Sequence, residues 1–169
     1  MRLSVPSLAA LCALLCAGCT PRKVRMARKL EGRYDVGIPD PATWLRVDPG
    51  GADKAWYNGH LEASIYTDSN CWARFLDGRP EQLLRHLMHG LDHPEELRNE
   101  PLEVAGRTGR ISVQRGLLDG LEVQVGAVVF NRGACTYDIV FIAPPTHFDD
   151  GWPAFEGVLE GYQAHGEEP

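Results

Sequence analysis

Hydrophobic and polar residues alternate through the second half of the chain, a pattern that predicts β-strands. Odd-numbered positions from 121 to 129 are all apolar, whereas positions 122 and 124 are polar. Four strands are expected in this half, over residues 102–104, 109–117, 121–130 and 135–143. Short turn sequences, Asp119-Gly120 and Asn131-Arg132-Gly133, separate the last three, so these should form an antiparallel meander.

The first half contains shorter strand-like runs between turn signals. Three strands are expected there, over residues 44–47, 54–57 and 61–67. The second and third flank Asn58-Gly59, a pair of residues that tolerates positive φ. We therefore predict a β-hairpin about Asn58-Gly59.

One segment between these halves changes to the helical period. Its apolar residues recur on one face of a helix and are Leu83, Leu84, Leu87, Met88 and Leu91. Pro80 suits the first turn of such a helix, while Gly90 and Pro94 bound its end. A helix is therefore expected over residues 81–91.

A second amphipathic helix is expected near the end of the chain. Its apolar residues are spaced at three and four positions and are Phe155, Val158, Leu159 and Tyr162. Asp149 or Asp150 could cap its first turn, and Pro153 would fit within that turn.

This order of elements predicts the α+β class. The expected domain covers residues 34–164, with one antiparallel sheet of about six strands and helices on both faces. Both faces need cover because the strand over 135–143 is apolar on each side. The order, and the aromatic-rich strand before the final helix, resemble the PsbP-like α/β/α sandwiches of small bacterial lipoproteins. That resemblance implies an accessory or binding module of the cell envelope rather than an enzyme.

The first residues have the features of a targeting signal. Arg2 precedes an apolar stretch over residues 8–15, which is much shorter than the roughly 20 residues of a membrane span. The sequence Ala17-Gly18-Cys19 resembles the cleavage site of a bacterial lipoprotein signal. The resemblance implies removal of residues 1–18, lipidation of Cys19 and a membrane-anchored protein. Thr20 then favours the outer membrane, with the domain facing the periplasm; an ordinary signal peptide or a buried helix is the alternative.

The remaining cysteines indicate a disulfide. Cys12 and Cys16 would leave with the signal, and Cys19 would carry the lipid. Cys71 and Cys135 are then the two cysteines that remain unmodified in the domain. Because the periplasm is oxidising, we expect these two to be paired, the alternative being two buried thiols. No CxxC spacing occurs, which argues against a redox-active pair or a zinc ribbon.

The net charge of −6 is distributed unevenly. Residues 20–33 carry six basic residues against one acidic residue, whereas residues 34–169 carry 10 basic and 22 acidic residues. A basic tether over residues 19–33 could contact anionic lipid headgroups, or could be a solvated linker. The acidic domain argues against nucleic acid as a partner. Residues 165–169 are expected to be a disordered tail.

Three histidines offer the main alternative function. His86, His89 and His93 are spaced at three and four positions, so a helix over 81–91 could bring at least two of them to a zinc or copper ion. Asp92 could replace His93 as the third ligand. Otherwise these histidines border the apolar stripe as ordinary surface residues.

Other candidate chemistry is weaker. Asp138, within an apolar strand, is either a site residue with a raised pKa or the partner of an arginine such as Arg107 or Arg110. A hydrolase would have to use His147 with Asp149 or Asp150. Four tryptophans could build the core or an aromatic ligand cleft, and they are Trp44, Trp56, Trp72 and Trp152.

The sequence thus predicts a non-catalytic accessory lipoprotein without a cofactor. Its expected partners are the membrane, through Cys19, and an envelope protein or a small apolar ligand, with a membrane transport assembly as one setting. The metal-binding protein and the hydrolase are the alternatives.

Overall fold

A seven-stranded antiparallel sheet with one helix on each face organises the chain in a computed structural model, which describes residues 33–71 and 78–165. The strands are β1 (Tyr34–Asp35), β2 (Leu45–Arg46), β3 (Lys54–Asn58), β4 (Ala63–Asn70), β5 (Asp92–Val104), β6 (Arg107–Leu118), β7 (Leu121–Arg132), β8 (Cys135–Ala143) and β9 (Gln163–Ala164). The helices are α1 (Pro80–Leu87), a 3₁₀ turn (Met88–Gly90) and α2 (Phe148–Glu160). The predicted signal, Cys19, the basic tether up to residue 32, Trp72 and the tail from residue 166 lie outside the described residues.

The strand order in the main sheet is β2-β3-β4-β8-β7-β6-β5, and every neighbouring pair is antiparallel. Strands β1 and β9 form a separate two-stranded ladder. The predicted α+β class and the meander of β6, β7 and β8 are therefore confirmed.

The larger part of the core lies under α2. Phe141 of β8 is fully buried there, and its ring centroid lies 5.0 Å from that of Phe148 and 6.0 Å from that of Phe155. Trp152 packs on Phe155 at 4.8 Å, while Trp44 and Trp56 are buried in the same core. Burying aromatic side chains of this size supplies much of the apolar area that stabilises a small domain. The described tryptophans thus belong to the core.

The core on the opposite face is smaller. Leu84, Met88 and Leu91 pack there on Val125 and Val140. Helix α1 lies over β6 and β7, so it covers only part of this face.

Strand β5 is much longer than predicted. Only its last three residues, 102–104, were expected, because the preceding residues carry many charges and two prolines instead of an apolar alternation. This strand lies at the edge of the sheet with nearly all its side chains exposed, so neither face needs apolar residues. Pairing with β6 defines it as a strand.

The predicted hairpin is confirmed, but its turn is longer than Asn58-Gly59. Strand β3 ends at Asn58 and β4 begins at Ala63. The Asn58 Oδ1 atom accepts hydrogen bonds from the backbone N–H of His60 and of Leu61, and Glu62 has a φ of 51°. Asn58 therefore organises the loop through its side chain instead of a tight two-residue turn.

The start of α2 also differs from expectation. Phe148 is the first helical residue and His147 precedes it without a side-chain capping bond. Asp149 and Asp150 lie in the first turn, where the positive end of the helix dipole stabilises their carboxylates. Pro153 lies inside the helix. The predicted capping by an aspartate and the place of Pro153 in the first turn were wrong.

A disulfide joins Cys71 to Cys135 across 64 positions of sequence, as the sequence predicts. Cys71 directly follows β4 and Cys135 begins β8, and these strands are neighbours in the sheet. The bridge therefore ties the first half of the chain to the meander.

The N-terminal segment passes close to the end of α2, where Gly37 of the segment lies against Gly157 and Gly161. The Gly37 N–H donates to the Val158 carbonyl at 3.1 Å. A Cβ atom on Gly37 would lie 1.9 Å from the Gly157 carbonyl oxygen, and one on Gly161 would lie 2.3 Å from the Gly37 nitrogen. Only hydrogen atoms fit between the two backbones at this crossing.

We expect Gly37→Ala to lower the free energy of unfolding by about 1–3 kcal/mol, because the new methyl group must push the two backbones apart. Chemical denaturation of the purified protein measures the change. Gly157→Ala is the matched control, since a Cβ there meets no atom within 4 Å. Its stability should stay the same or rise slightly because alanine favours a helix interior. If the two variants were equally stable, the backbones would not be as close at Gly37 as described.

Replacing both cysteines, Cys71→Ser with Cys135→Ser, should lower the free energy of unfolding by about 4 kcal/mol, because the unfolded chain loses the loop constraint. Denaturation in the absence and presence of a reductant checks this: reduction should destabilise the unaltered protein and leave the double variant unchanged. A double variant as stable as the oxidised protein would show that the bridge contributes nothing.

Candidate functional site

A groove runs alongside α1 where that helix leaves the sheet uncovered. Helix α1 forms one wall, and the neighbouring strands β4 and β8 form the floor. It contains two adjoining cavities of about 250 and 160 Å³, which share Leu87 as a lining residue. We call this feature the α1 groove.

One end of the α1 groove is polar. Asp68 of β4 and Asp138 of β8 are directly opposed partners in the sheet, so their carboxylates lie on the same face. Asn70 and Thr136, the next pair on this face of the two strands, line the same cavity. The Asn70 Oδ1 atom is buried and accepts no hydrogen bond from any described residue. This end therefore presents acceptor oxygens.

The other end of the α1 groove is apolar. Its described lining residues are Tyr66, Leu87, Met88, Gly90, Leu91, Leu118, Val125, Val140 and Ile142. Tyr66 stands between the two ends, because it precedes Asp68 by two positions on the same face of β4. Burial, with smaller contributions from Asp138 and Asp68, raises the pKa of Tyr66 to about 12. Tyr66 is therefore neutral at physiological pH.

Exposed apolar side chains extend the apolar end of the α1 groove toward β2, at the edge of the sheet. Leu45 and Tyr57 are paired across β2 and β3 on the same face as Ile142, and they are 64% and 39% exposed. Leu121, at 71% exposed, borders a neighbouring cavity of about 470 Å³ with Tyr57 and Ile142. We call Leu45, Val47, Tyr57 and Leu121 the apolar shelf.

The charged residues along this surface are acidic. Asp68 and Asp138 lie at the polar end, and Glu62 and Glu122 lie beside the shelf. None of the residues that the structure describes as lining these three cavities is a lysine or an arginine. The carboxylates of Glu62 and Glu122 thus lie beside the shelf, and those of Asp68 and Asp138 line the polar end.

The structure separates the three histidines that could bind a metal. His86 lines the polar end of the α1 groove, His89 is exposed in the 3₁₀ turn, and His93 lies in β5 with a φ of 52°. The helix ends at Leu87, so the helical spacing that would have aligned them is interrupted. Within residues 33–71 and 78–165, no three His, Cys, Asp or Glu side chains are grouped to hold a metal ion.

The residues of the alternative hydrolase lie away from the α1 groove. The His147 Nδ1 atom is 3.8 Å from the Asp150 Oδ2 atom at the start of α2, on the opposite face of the sheet, and both side chains are exposed. Asp149 is exposed in the same turn. This exposed pair needs no catalytic explanation, because it lies within one helical turn.

The expected arginine partners of Asp138 are placed elsewhere. Arg110 donates to Asn99 Oδ1 at 2.6 Å and lies 3.4 Å from Glu81, while Arg107 borders the turn that joins β5 and β6. Val129 separates Arg110 from Asp138 in the row of paired residues across the sheet. Asp138 lines the polar end of the α1 groove.

A second polar cluster, on the α2 face, joins the N-terminal segment to the sheet. The Tyr34 hydroxyl donates to Asp53 at 3.0 Å and lies 2.8 Å from the Thr67 hydroxyl. The Lys54 ammonium donates to the Tyr34 carbonyl at 2.7 Å and lies 4.0 Å from its ring centroid. Burial raises the pKa of Tyr34 and lowers that of Lys54. These contacts hold β1 in place against the sheet.

Sequence reasoning did not find the α1 groove. The predicted strand ended at Thr67, so Asp68 and Asn70 were assigned to a turn. A signal was present, since Tyr66, Asp68 and Asn70 alternate with Ile65, Thr67 and Ser69. That alternation indicates a half-exposed strand face but not what lies above it.

None of the protein-family models and none of the curated proteins compared with the chain matches it. Several solved structures share its fold. LpqN of Mycobacterium tuberculosis, described as involved in cell envelope biogenesis, aligns over 80% of this chain and 86% of its own, with 12% identity and a TM-score of 0.58.

Two further structures are similar. The cyanobacterial PsbP protein, CyanoP, of Synechocystis sp. PCC 6803 covers 78% of this chain and 86% of its own, with 13% identity and a TM-score of 0.52. A protein of unknown function from Pseudomonas aeruginosa, described as a putative regulator, covers 85% and 88%, with 11% identity and a TM-score of 0.51. The fold is therefore PsbP-like, as the order of elements predicted. No helix among residues 33–71 and 78–165 has the length and hydropathy of a membrane span.

The raised pKa of Tyr66 makes stability depend on alkaline pH. Its pKa of about 12 in the fold exceeds the ordinary tyrosine value of 10.0, so the unfolded chain loses this proton first. The contribution is fully present below pH 10 and is lost as the pH rises through 12. The free energy of unfolding of the unaltered protein should fall more steeply across this range than that of Tyr66→Phe. If the free energy of unfolding changed with pH equally in the two proteins, Tyr66 would be solvated in the fold.

Proposed function

We propose that the protein is a lipid-anchored accessory module of the bacterial cell envelope, which binds a partner protein through the α1 groove and catalyses no reaction. The observation that carries this proposal is the groove itself, an apolar surface beside a helix that, within residues 33–71 and 78–165, lies mainly over β6 and β7. Exposed contiguous apolar surface of this kind is typical of interaction sites.

The tyrosine of the groove supports binding more than acid–base catalysis. A tyrosine with a pKa of about 12 exchanges no proton near neutral pH, so Tyr66 is unsuited to acid–base work there. It can still donate a hydrogen bond to a partner.

The envelope location is supported by three observations. The fold is shared with an envelope-biogenesis protein, LpqN. The disulfide between Cys71 and Cys135 is of a kind that persists in oxidising compartments. The sequence before the domain resembles a lipoprotein signal ending at Cys19. Acylation at Cys19, with the basic residues of the tether, would hold the domain at a membrane, and Thr20 favours the outer membrane.

The anchor is tested by expressing the full chain in a bacterial host and measuring the intact mass of the protein in the membrane fraction. We expect an acylated N-terminus at Cys19, and two thiols that react with an alkylating agent only after reduction. Cys19→Ala should move the protein out of the membrane fraction. An unmodified N-terminus in the unaltered protein would overturn the anchor.

Partner binding is tested in the same cells by photo-crosslinking. A photoreactive residue at Leu45, on the apolar shelf, should give a discrete adduct that Tyr57→Lys weakens. The matched control is the same photoreactive residue at Leu97, an exposed apolar position on β5 that is 44% exposed. Adducts of equal yield at both positions, or none at Leu45, would contradict a partner in the groove.

A further inference from the structure

We infer that the basic tether, residues 19–33, binds its own domain in a cavity between the end of α2 and the turn that joins β5 to β6. This contact needs no partner in the α1 groove and no lipid at Cys19, so it stands apart from the proposed function. The lining of the cavity, its charge and its distance from the start of the domain support it.

The cavity combines apolar side chains with carboxylates, and its volume is about 340 Å³. Leu102 of β5 and Leu159 of α2 line it, and both are half-buried against the aromatic core. The exposed side chains of Glu103, Glu156 and Glu160 line it as well. We call this feature the α2 cavity.

The carboxylates of the α2 cavity have no cationic partner within residues 33–71 and 78–165. Glu103 accepts a hydrogen bond from the Thr108 hydroxyl at 2.7 Å, and Glu156 accepts one from the Trp152 indole N–H at 2.8 Å. Both donors are neutral. No ion pair among the described residues includes these glutamates or Glu160. A basic segment would therefore reduce the repulsion among three carboxylates.

Glu160 lies where a positive charge is most favourable. It is the last residue of α2, and the carbonyl groups at this end give the helix a partial negative charge. The last turn of α2 contains no basic residue. A lysine or arginine that binds here would interact favourably with the helix end as well as with the carboxylate.

The tether joins the domain beside the α2 cavity. The Arg33 carbonyl accepts a hydrogen bond from the His165 N–H at 2.8 Å, and the next residue, Tyr34, begins β1. The Tyr34 ring centroid lies 5.8 Å from that of Tyr162, which lines the cavity. A chain spans at most about 3.6 Å per residue, so Lys29 lies within roughly 14 Å of Arg33. The basic residues are therefore held close to the glutamates.

The tether sequence complements both parts of the α2 cavity. Residues 20–33 carry six basic residues against one acidic residue. Val24, Met26 and Leu30 stand among them, so the segment offers apolar side chains to the two leucines and cations to the glutamates. A short linker gives an effective concentration of about a millimolar or more, which favours even a weak contact within one chain.

Binding would shorten the reach of the tether. Residues 19–33 could span at most roughly 50 Å, whereas a tether bound from Lys23 onward would leave about 14 Å between the domain and Cys19. The bound side chains cannot contact lipid headgroups at the same time. In an acylated protein, the α2 cavity and an anionic membrane would therefore compete for the tether.

Carbodiimide coupling tests the contact, because it joins a lysine amine to an adjacent carboxylate. The chain has three lysines, Lys23, Lys29 and Lys54, so a product of either of the first two reports the tether. The full chain is purified from the bacterial host in a non-ionic detergent, and the coupled peptides of the monomer are mapped by mass spectrometry. We expect the two tether lysines to couple mainly to the three glutamates of the α2 cavity, with yields that fall as salt is added.

Variants that keep every carboxylate locate the contact. Ala105 is an exposed lining residue of the α2 cavity, in the turn between β5 and β6. Ala105→Arg adds a guanidinium group that competes for the glutamates and does not react with the carbodiimide. Coupling of the tether lysines should fall at least about threefold. Leu121→Arg is the matched control, because Leu121 is 71% exposed and borders another cavity, and it should leave the yield unchanged.

Coupling spread evenly over the acidic residues of the domain, coupling to Glu167 or Glu168 instead, or no coupling of either tether lysine would overturn the inference. So would equal yields in the two variants. Products found only between two molecules would also refute it, since a second copy would then supply the lysines. Coupling in a protein with an unmodified Cys19 would uphold the contact and refute the lipid anchor, and an acylated protein without coupling would do the reverse.

Discussion

The pairing of β8 with both β4 and β7 is the constraint on which the rest of the domain depends. Ile139, Val140 and Phe141 are at most 1% exposed, so this strand is buried on both faces. A strand of this kind needs cover on each side, and the two helices supply it. The disulfide from Cys135 to Cys71 joins the start of the same strand to the end of its neighbour.

Unequal cover of the two faces produces the candidate site. On one face α2 and the N-terminal segment bury an aromatic core around Phe141. On the other, α1 lies over β6 and β7, and among the described residues part of β8 lies beside it without helical cover. The two half-buried positions of β8, Asp138 and Ile142, both face this opening. The groove therefore follows from how far one short helix can reach, and binding a partner would complete the layer.

Sequence reasoning succeeded where local patterns carry the information. Three strands of the meander, the hairpin at Asn58 and both helices were found because alternation, turn residues and helical spacing are local signals. It failed at β5, where an exposed edge removes the apolar alternation, and at the start of α2, where His147 precedes the helix without a side-chain cap. The groove was missed because Tyr66, Asp68 and Asn70 reveal a half-exposed strand face without revealing what covers it.

By itself, the sequence predicted the α+β class and the order of the two helices and the strands of the main sheet, because apolar periodicity is a property of the chain. It also led to the expected pairing of Cys71 with Cys135, once the resemblance to a lipoprotein signal had set the other three cysteines apart. Only the tertiary structure decided which strands flank β8, which part of the sheet α1 covers, and that Asp68 meets Asp138 across the sheet. These facts depend on contacts between residues far apart in sequence. A one-dimensional pattern shows that a face must be buried, whereas packing in three dimensions decides what buries it.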